Sequence, residues 1–336
     1  EDGVLKDGIV EIKQLSSDEF DSKQLSTIQV GDTQKELLSI TQSNVGRFTG
    51  KYQLKETMII HSHQIVALAI TKDGKKVVYV GLDNSINVID VATRAVLTTI
   101  NETKAISDVE VSHDGSKIIT SSEDIITVWD IQTGELFTSI YDAQNNIISL
   151  KITPDDKYIV SGGSDGKIKV WDASSGELIR ELIGHTSDVL SIDISQDSTK
   201  IVSSSKDETL KVWVLSNGAL LHSIQKGSIA THIAATPDVS SIFSVGHSVH
   251  ARAISKLQIS EDATKIASSS LDKTLKVWRL EDDRPLVDII MELDAIHSFE
   301  FHPSEEILFV ATGNKITLWA LNESVETSLQ TGTLPP

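Results

Sequence analysis

The chain has 336 residues, 39% hydrophobic and 23% charged, enough to bury one large core, and no run approaches the roughly 18–20 apolar residues of a membrane span. A net charge of −18 argues against nucleic acid, whose phosphates demand lysine and arginine, and against anionic membrane surfaces. The absence of cysteine excludes disulfides, thiolate metal sites and a cysteine nucleophile.

The chain opens Glu1-Asp2-Gly3 without a Met, so residue 1 is expected to lie inside a longer gene product. Residues 1–51 are polar, with scattered apolar positions such as Ile9, Val10, Ile12, Leu37, Leu38 and Ile40. No heptad pattern runs through them, and they read as a partly ordered N-terminal extension. Tyr52–Ile60 then alternates apolar and polar residues, the period of a half-buried strand.

From there a polar turn recurs. It starts at Thr71, Ser112, Thr153, Ser195, Thr236, Ser260 and His302, at intervals of 41, 41, 42, 41, 24 and 42 residues. Asp, Gly and Pro in these segments supply turn geometry. All five tryptophans (Trp129, Trp171, Trp213, Trp278 and Trp319) end an alternating apolar strand such as Ile168-Lys169-Val170-Trp171. In the fourth unit, strands read as Leu178–Ile183, Val189–Ile194, Ile201–Ser205 and Thr209–Leu215. Four short strands per unit of about 42 residues is the pattern of a propeller blade.

These residues resemble the WD-repeat family over 52–322. The marks are Gly184-His185, Trp129-Asp130, Trp171-Asp172 and the turn aspartates Asp83, Asp124, Asp165, Asp207 and Asp272. The resemblance implies an all-β, seven-bladed β-propeller with a non-repeat N-terminal extension, a tail over 323–336, and an N-terminal strand that closes the ring. It also implies hydrogen-bonded sets linking loop His, strand Ser, turn Asp and Trp. Two are complete: His185, Ser203, Asp207, Trp213, and His250, Ser268, Asp272, Trp278. Their recurrence, without a strained nucleophile elbow, favours a structural role over a hydrolase site. In the first unit Ile89 replaces the Trp, and in the last Asn314 replaces the Asp.

The interval of 24 marks an incomplete fifth blade, lacking its outer strands near 248–250. Its Trp strand and following strand, roughly 17–19 residues, are missing against the period. Absence of those strands from this sequence is favoured over a true deletion, because a two-stranded blade exposes a sheet edge.

The loop face is the expected partner-binding surface, with candidates His61, His63, Glu102, Tyr141, Asp142, Asp188, Glu208, Arg252, Met291 and Asp294. No carboxylate at ligand spacing accompanies His61-Ser62-His63, so no metal site is expected. The inner strands (Val66–Ile70, Val109–Val111, Ile148–Ile152, Val189–Ile194) read as mostly apolar, so no catalytic residues and no cofactor are expected. By family resemblance, the expected function is a non-catalytic scaffold docking proteins within a larger complex. Alternatives are a substrate receptor of a ubiquitin ligase or a reader of histone-like basic peptides. The adaptor-binding Arg of such receptors is missing, with Gln132 and Ser174 at the corresponding positions. Nucleic acid, membrane insertion and a small-molecule substrate are not expected. The resemblance implies a cytoplasmic address, with cytoskeletal or ciliary assemblies as narrower readings.

Overall fold

The computed structural model describes residues 52–59, 61–142, 146–245, 250–279, 288–292 and 294–321. The N-terminal extension and the C-terminal tail lie outside the described residues. All regular structure among these residues is β.

The first strand is β1 (Tyr52–Ile59). Blade 1 follows as β2 (Ile65–Ile70), β3 (Lys76–Gly81), β4 (Ser85–Asp90) and β5 (Val96–Asn101). Blade 2 is β6 (Asp108–Val111), β7 (Lys117–Ser122), β8 (Ile125–Asp130) and β9 (Leu136–Tyr141). Blade 3 is β10 (Ile147–Ile152), β11 (Tyr158–Gly163), β12 (Lys167–Asp172) and β13 (Leu178–Ile183). Blade 4 is β14 (Val189–Ile194), β15 (Lys200–Ser205), β16 (Thr209–Val214) and β17 (Leu220–Gln225). A two-stranded sheet, β18 (His232–Ala235) and β19 (Ile242–Val245), comes next. Blade 5 is β20 (Ile254–Ile259), β21 (Lys265–Ser270), β22 (Thr274–Arg279) and β23 (Asp288–Met291). Blade 6 is β24 (Ile296–Phe301), β25 (Ile307–Thr312), β26 (Lys315–Leu321) and, at its outer edge, β1.

The count corrects the expectation of seven blades. Among the described residues six four-stranded blades form, and the fifth repeat contributes the two strands β18 and β19. The physical reason is the 24-residue interval, too short for four strands and three turns. The small sheet still packs on both sides. Ile233 and Ile242 meet Val202 and Val212 of blade 4, while Phe243 and Val245 meet Ile254 and Trp278 of blade 5.

Local chemistry sets each blade. The hydroxyl of Thr71, Ser112, Thr153, Ser195, Thr236 or Ser260 donates to the Asp two residues on, at 2.5–2.8 Å. The residue after that Asp is left-handed in all six turns. Gly74 and Gly115 adopt it freely, whereas Asp156, Ser198, Val239 and Ala263 adopt it at φ between 54° and 58°. The aspartates after Trp129 and Trp171 cap the next turn, accepting from the backbone N–H of Gln132 and Thr133, and of Ser174 and Ser175.

Inner strands touch in the order β2, β6, β10, β14, β18, β20, β24 and back to β2, which closes the ring. Side chains of one blade satisfy backbone groups of the next. Ser149 accepts from Ile192 N, Ser191 from Ile233 N and Asp193 from Ala235 N, while Ser255 donates to Ile296 O.

The seam is built the same way. β1 pairs antiparallel with β26, from Tyr52 opposite Leu321 to Ile59 opposite Lys315. Arg94 of blade 1 donates to both carboxylate oxygens of Glu56 on β1. Asn314 Nδ2 donates to His61 O, so the residue replacing the usual Asp ties the last blade to the first loop. Met58, Tyr79, Ile89, Phe309 and Leu318 form one core across the seam. Deleting residues 50–60 is therefore expected to lower the melting temperature of the whole domain by about 10 °C, at 2–4 °C per kcal/mol for this size. A thermal melt of the truncated chain checks it, and an unchanged single transition contradicts it.

Candidate protein-interaction face

The loops entering each inner strand and the turns joining the second and third strands share one end of the ring. Before each inner strand, a polar side chain reaches down into the blade. Its identity decides whether it is anchor or surface.

In blade 4 the anchor is His185, whose side chain is fully buried. Trp213 Nε1–H donates to Ser203 Oγ at 2.9 Å, and Ser203 lies 2.8 Å from His185 Nε2. His185 Nδ1 is 2.9 Å from Asp207. One neutral tautomer satisfies the chain from indole to carboxylate. Burial pushes the His185 imidazole down, consistent with that neutral form. Burial pushes the Asp207 carboxyl up, but hydrogen bonds from Thr209, Thr186 and His185 outweigh it and leave the group far below the usual range. The Trp213 ring lies over Gly184, where an added Cβ would sit 2.9 Å from it, so the Gly-His pair needs its glycine.

Blade 5 repeats the set. His250 Nε2 lies 2.7 Å from Ser268 Oγ and its Nδ1 lies 3.2 Å from Asp272, with Trp278 buried in the same sheet. Elsewhere the anchor changes. In blade 3 Asp142 forms an ion pair with Lys169, both buried. In blade 6 Glu292 accepts from Trp319 Nε1 at 2.9 Å and from Thr317 Oγ1 at 2.5 Å. Beside the small sheet, Lys226 donates to Ser244, and burial pushes its ammonium down to about 8.

This corrects the loop-face list. Asp142 is 3% exposed and engaged with Lys169, so it is an anchor and not a partner contact. Its place just outside β9 looked like open loop in the sequence, which does not show the buried Lys169 opposite. Glu102 is half-buried, with Oε1 enclosed and unpaired among the described residues. Asp188 pairs with Lys206 at 2.6 Å, and Glu208 is half-buried at a left-handed turn position. Arg252 and Asp294 are exposed, as is Tyr141. Met291 ends β23, and its side chain lies outside the described residues. His61 and His63 both approach Asp83, at 2.9 and 3.3 Å. Spacing alone had offered that pair no carboxylate. The fold supplies one from the β3–β4 turn.

Two features were missed in the sequence. One is apolar: Leu82 is 63% exposed and Ile183 is 72% exposed, alongside Tyr141 at 68%. All three lie on the loop face. Leu82 stands where blades 3, 4 and 5 have Ser164, Lys206 and a half-buried Leu271, and Tyr141 and Ile183 share a position with Asn101, Gln225 and Met291 of blades 1, 4 and 5. By contrast the exposed pairs Val96/Leu97, Leu136/Phe137, Leu178/Ile179 and Leu220/Leu221 recur in four successive outer strands and belong to the blade itself. Strand parity could have marked Ile183, since its neighbour Leu182 is the buried residue.

The other is charge in the central channel. Glu110, Lys151, Asp193, Lys256, Gln258 and Glu300 line a cavity of about 420 Å³ that opens on the opposite face. This corrects the reading of apolar inner strands. Lys151 pairs with Glu110 and Lys256 with Glu300, each bridging neighbouring blades. Burial and the neighbouring Glu110 push the Asp108 carboxyl up to about 6. The apolar majority of these strands masked the charged residues Glu110, Lys151 and Asp193 within them, which the ring brings together from neighbouring blades.

Replacing Ser203 with Ala is expected to cost roughly 1–3 kcal/mol, because it orphans the buried Trp213 and His185 nitrogens. Thr120→Val in blade 2 should cost less, since Trp129 there makes only a 3.3 Å bond to Thr120. Urea unfolding compares the two. Acid should act through the buried imidazoles. Burial pushes His250 and His232 down to about 4 from an ordinary 6.5. Between pH 6.5 and 4 the unfolded chain binds the extra protons, so their contribution is whole above 6.5 and is lost as pH falls through that window. Asp108, raised to about 6, acts in the opposite sense. A His250→Gln variant should therefore lose less stability than the parent between pH 7 and 5, read as urea midpoints.

A profile of the NWD2 C-terminal beta-propeller matches residues 101–300, more than half of the chain. Autophagy-related protein 16 of Arabidopsis thaliana is 28% identical over 106 residues, covering 30% of this chain and 21% of that relative. The chain thus spans about a fifth of that protein's length. No described helix is long and apolar enough to cross a membrane. Propellers of this WD-like kind are generally non-catalytic and generally bind proteins. With the repeat ring, the His–Ser–Trp anchors and the profile match in agreement, this chain belongs to the NWD2 C-terminal beta-propeller family.

Proposed function

We propose that the chain is a non-catalytic scaffold that docks a protein partner on its loop face, as one subunit of a larger complex. One observation carries the reading. Leu82, Tyr141 and Ile183, the most exposed large apolar side chains described, all lie on that face. Exposed apolar surface gathered on one face calls for an explanation, and partner contact is the simplest. Around these residues Asp188–Lys206 and Lys104 with Glu123 and Asp124 form exposed or half-exposed ion pairs, suited to a polar rim.

A cytoplasmic address belongs to the same proposal and rests on family resemblance. The test is crosslinking mass spectrometry from native material, beside a chain carrying Leu82→Ser, Tyr141→Ser and Ile183→Ser. Crosslinks are expected to concentrate on the loop face and to vanish in the variant, with its melting temperature unchanged. Crosslinks confined to the opposite face or the perimeter, or undiminished in the variant, overturn the reading.

A further inference from the structure

The loop joining β1 to β2 carries a histidine arrangement unlike those of the other blades. In blades 4 and 5 the loop histidine is fully buried, with one nitrogen on a turn Asp and the other on a strand Ser. In blade 1 the strand Ser position is Tyr79 and the Trp position is Ile89. The Ser–Trp half of the network is therefore replaced. Tyr79 instead packs edge-on against the His61 ring, at 5.6 Å between centroids. His61 faces Asp83 through Nε2, at 2.9 Å from Oδ1, where His185 and His250 use Nδ1.

A second imidazole completes the arrangement. His63 stands where the other two blades have Ser187 and Arg252. Its Nδ1 lies 3.3 Å from Asp83 Oδ2, and its side chain is 57% exposed. Ser85 fixes the carboxylate from below, donating its backbone N–H at 3.2 Å and its hydroxyl at 2.9 Å to Oδ1. Gly81 makes the convergence possible. A Cβ there would lie 2.4 Å from both His61 Nε2 and Asp83 Oδ1.

We propose that His61, His63 and Asp83 form a binding site for a divalent transition-metal cation, of which Zn²⁺ is the reference. The three ligand atoms lie within 4.8 Å of one another. Metal bonds of about 2.0–2.2 Å place neighbouring ligand atoms about 3.3 Å apart, so a small rotation of exposed His63 brings the set into range. Two imidazoles and one carboxylate suit zinc and its neighbours rather than calcium or magnesium, which prefer oxygen. On binding, the His61 ring passes to its Nδ1–H tautomer and frees Nε2. Solvent supplies the remaining position.

The site sits at the seam. His61 O already accepts from Asn314 of blade 6, and Ile65 N–H donates to Gly313 O. A cation held by two loop histidines and a blade 1 carboxylate pins the connection between the last blade and the first.

Titration of the full chain with Co²⁺ tests this directly. Saturable d–d absorption at one equivalent, displaced by Zn²⁺, is expected. His63→Ala should weaken it at least about tenfold, because one of three ligands is lost. His222→Ala, on the perimeter strand β17, should leave it unchanged. Zn²⁺ should raise the melting temperature of the parent chain and not that of His63→Ala. Because His63 is largely exposed, its loss should leave the fold intact, checked by the metal-free melt. Absence of saturable Co²⁺ binding, equal affinity in the His63→Ala chain, or an equal Zn²⁺ shift in both proteins overturns the proposal.

Discussion

Ring closure is the constraint on which the other features rest. A four-stranded sheet buries its faces only when another sheet lies on each side, so no blade is stable by itself. The chain meets this by lending its first strand to its last blade. β1 gives β26 the neighbour it would lack, and Met58 enters a core shared with Tyr79 and Phe309 across the seam. The same logic explains how a two-stranded sheet is tolerated. β18 and β19 keep the ring continuous because their residues are covered by blades 4 and 5, and Asp193 and Ser191 reach across to their backbone.

Within that ring every blade faces one further demand, to satisfy polar groups buried beneath the incoming loop. Blades 4 and 5 use a histidine relayed through serine, blade 6 a glutamate that takes the indole N–H directly, and blade 3 an Asp–Lys pair. The chemistry varies and the anchor shifts by one residue, since His185 stands two residues past β13 whereas Asp142 and Glu292 stand one residue past β9 and β23. Blades without that histidine look partial in sequence, although Glu292 and Asp142 anchor the loop from the adjacent position. Buried ion pairs such as Asp142–Lys169 add little stability over an apolar alternative, but removing one partner leaves an uncompensated charge. Such anchors therefore tie loop to blade more than they strengthen the core.

Much of the fold was legible because the repeat imposes it. The Thr/Ser-x-Asp turns and the Trp strands fix strand order, and the 24-residue interval marks where two strands are missing. The channel charges stand in the strands themselves, as Glu110, Lys151 and Asp193 show, but their meeting in one channel depends on neighbouring blades, which no single strand displays. Asp142 was misread for another reason. Burial of a loop residue depends on its partner in the next blade, here Lys169, and nothing local to Asp142 signals it. The same long-range dependence hid Asp83 from His61 and His63.

The departures from the repeat then become the informative residues. Leu82 and Asp83 are adjacent in one turn, yet they point to different chemistry. Leu82 is an exposed apolar side chain suited to partner contact, whereas Asp83 is held by Ser85 and faces two imidazoles. Blade 1 replaces the Ser and Trp of the other sets with Tyr79 and Ile89. With that substitution the loop histidine turns its Nε2 to Asp83, beside which His63 also stands. A cation there would stiffen the loop that carries the seam without touching Tyr141 or Ile183 on blades 2 and 3. Seam chemistry and partner docking are thus separable, one resting on three ligand atoms in blade 1 and the other on apolar surface spread over three blades.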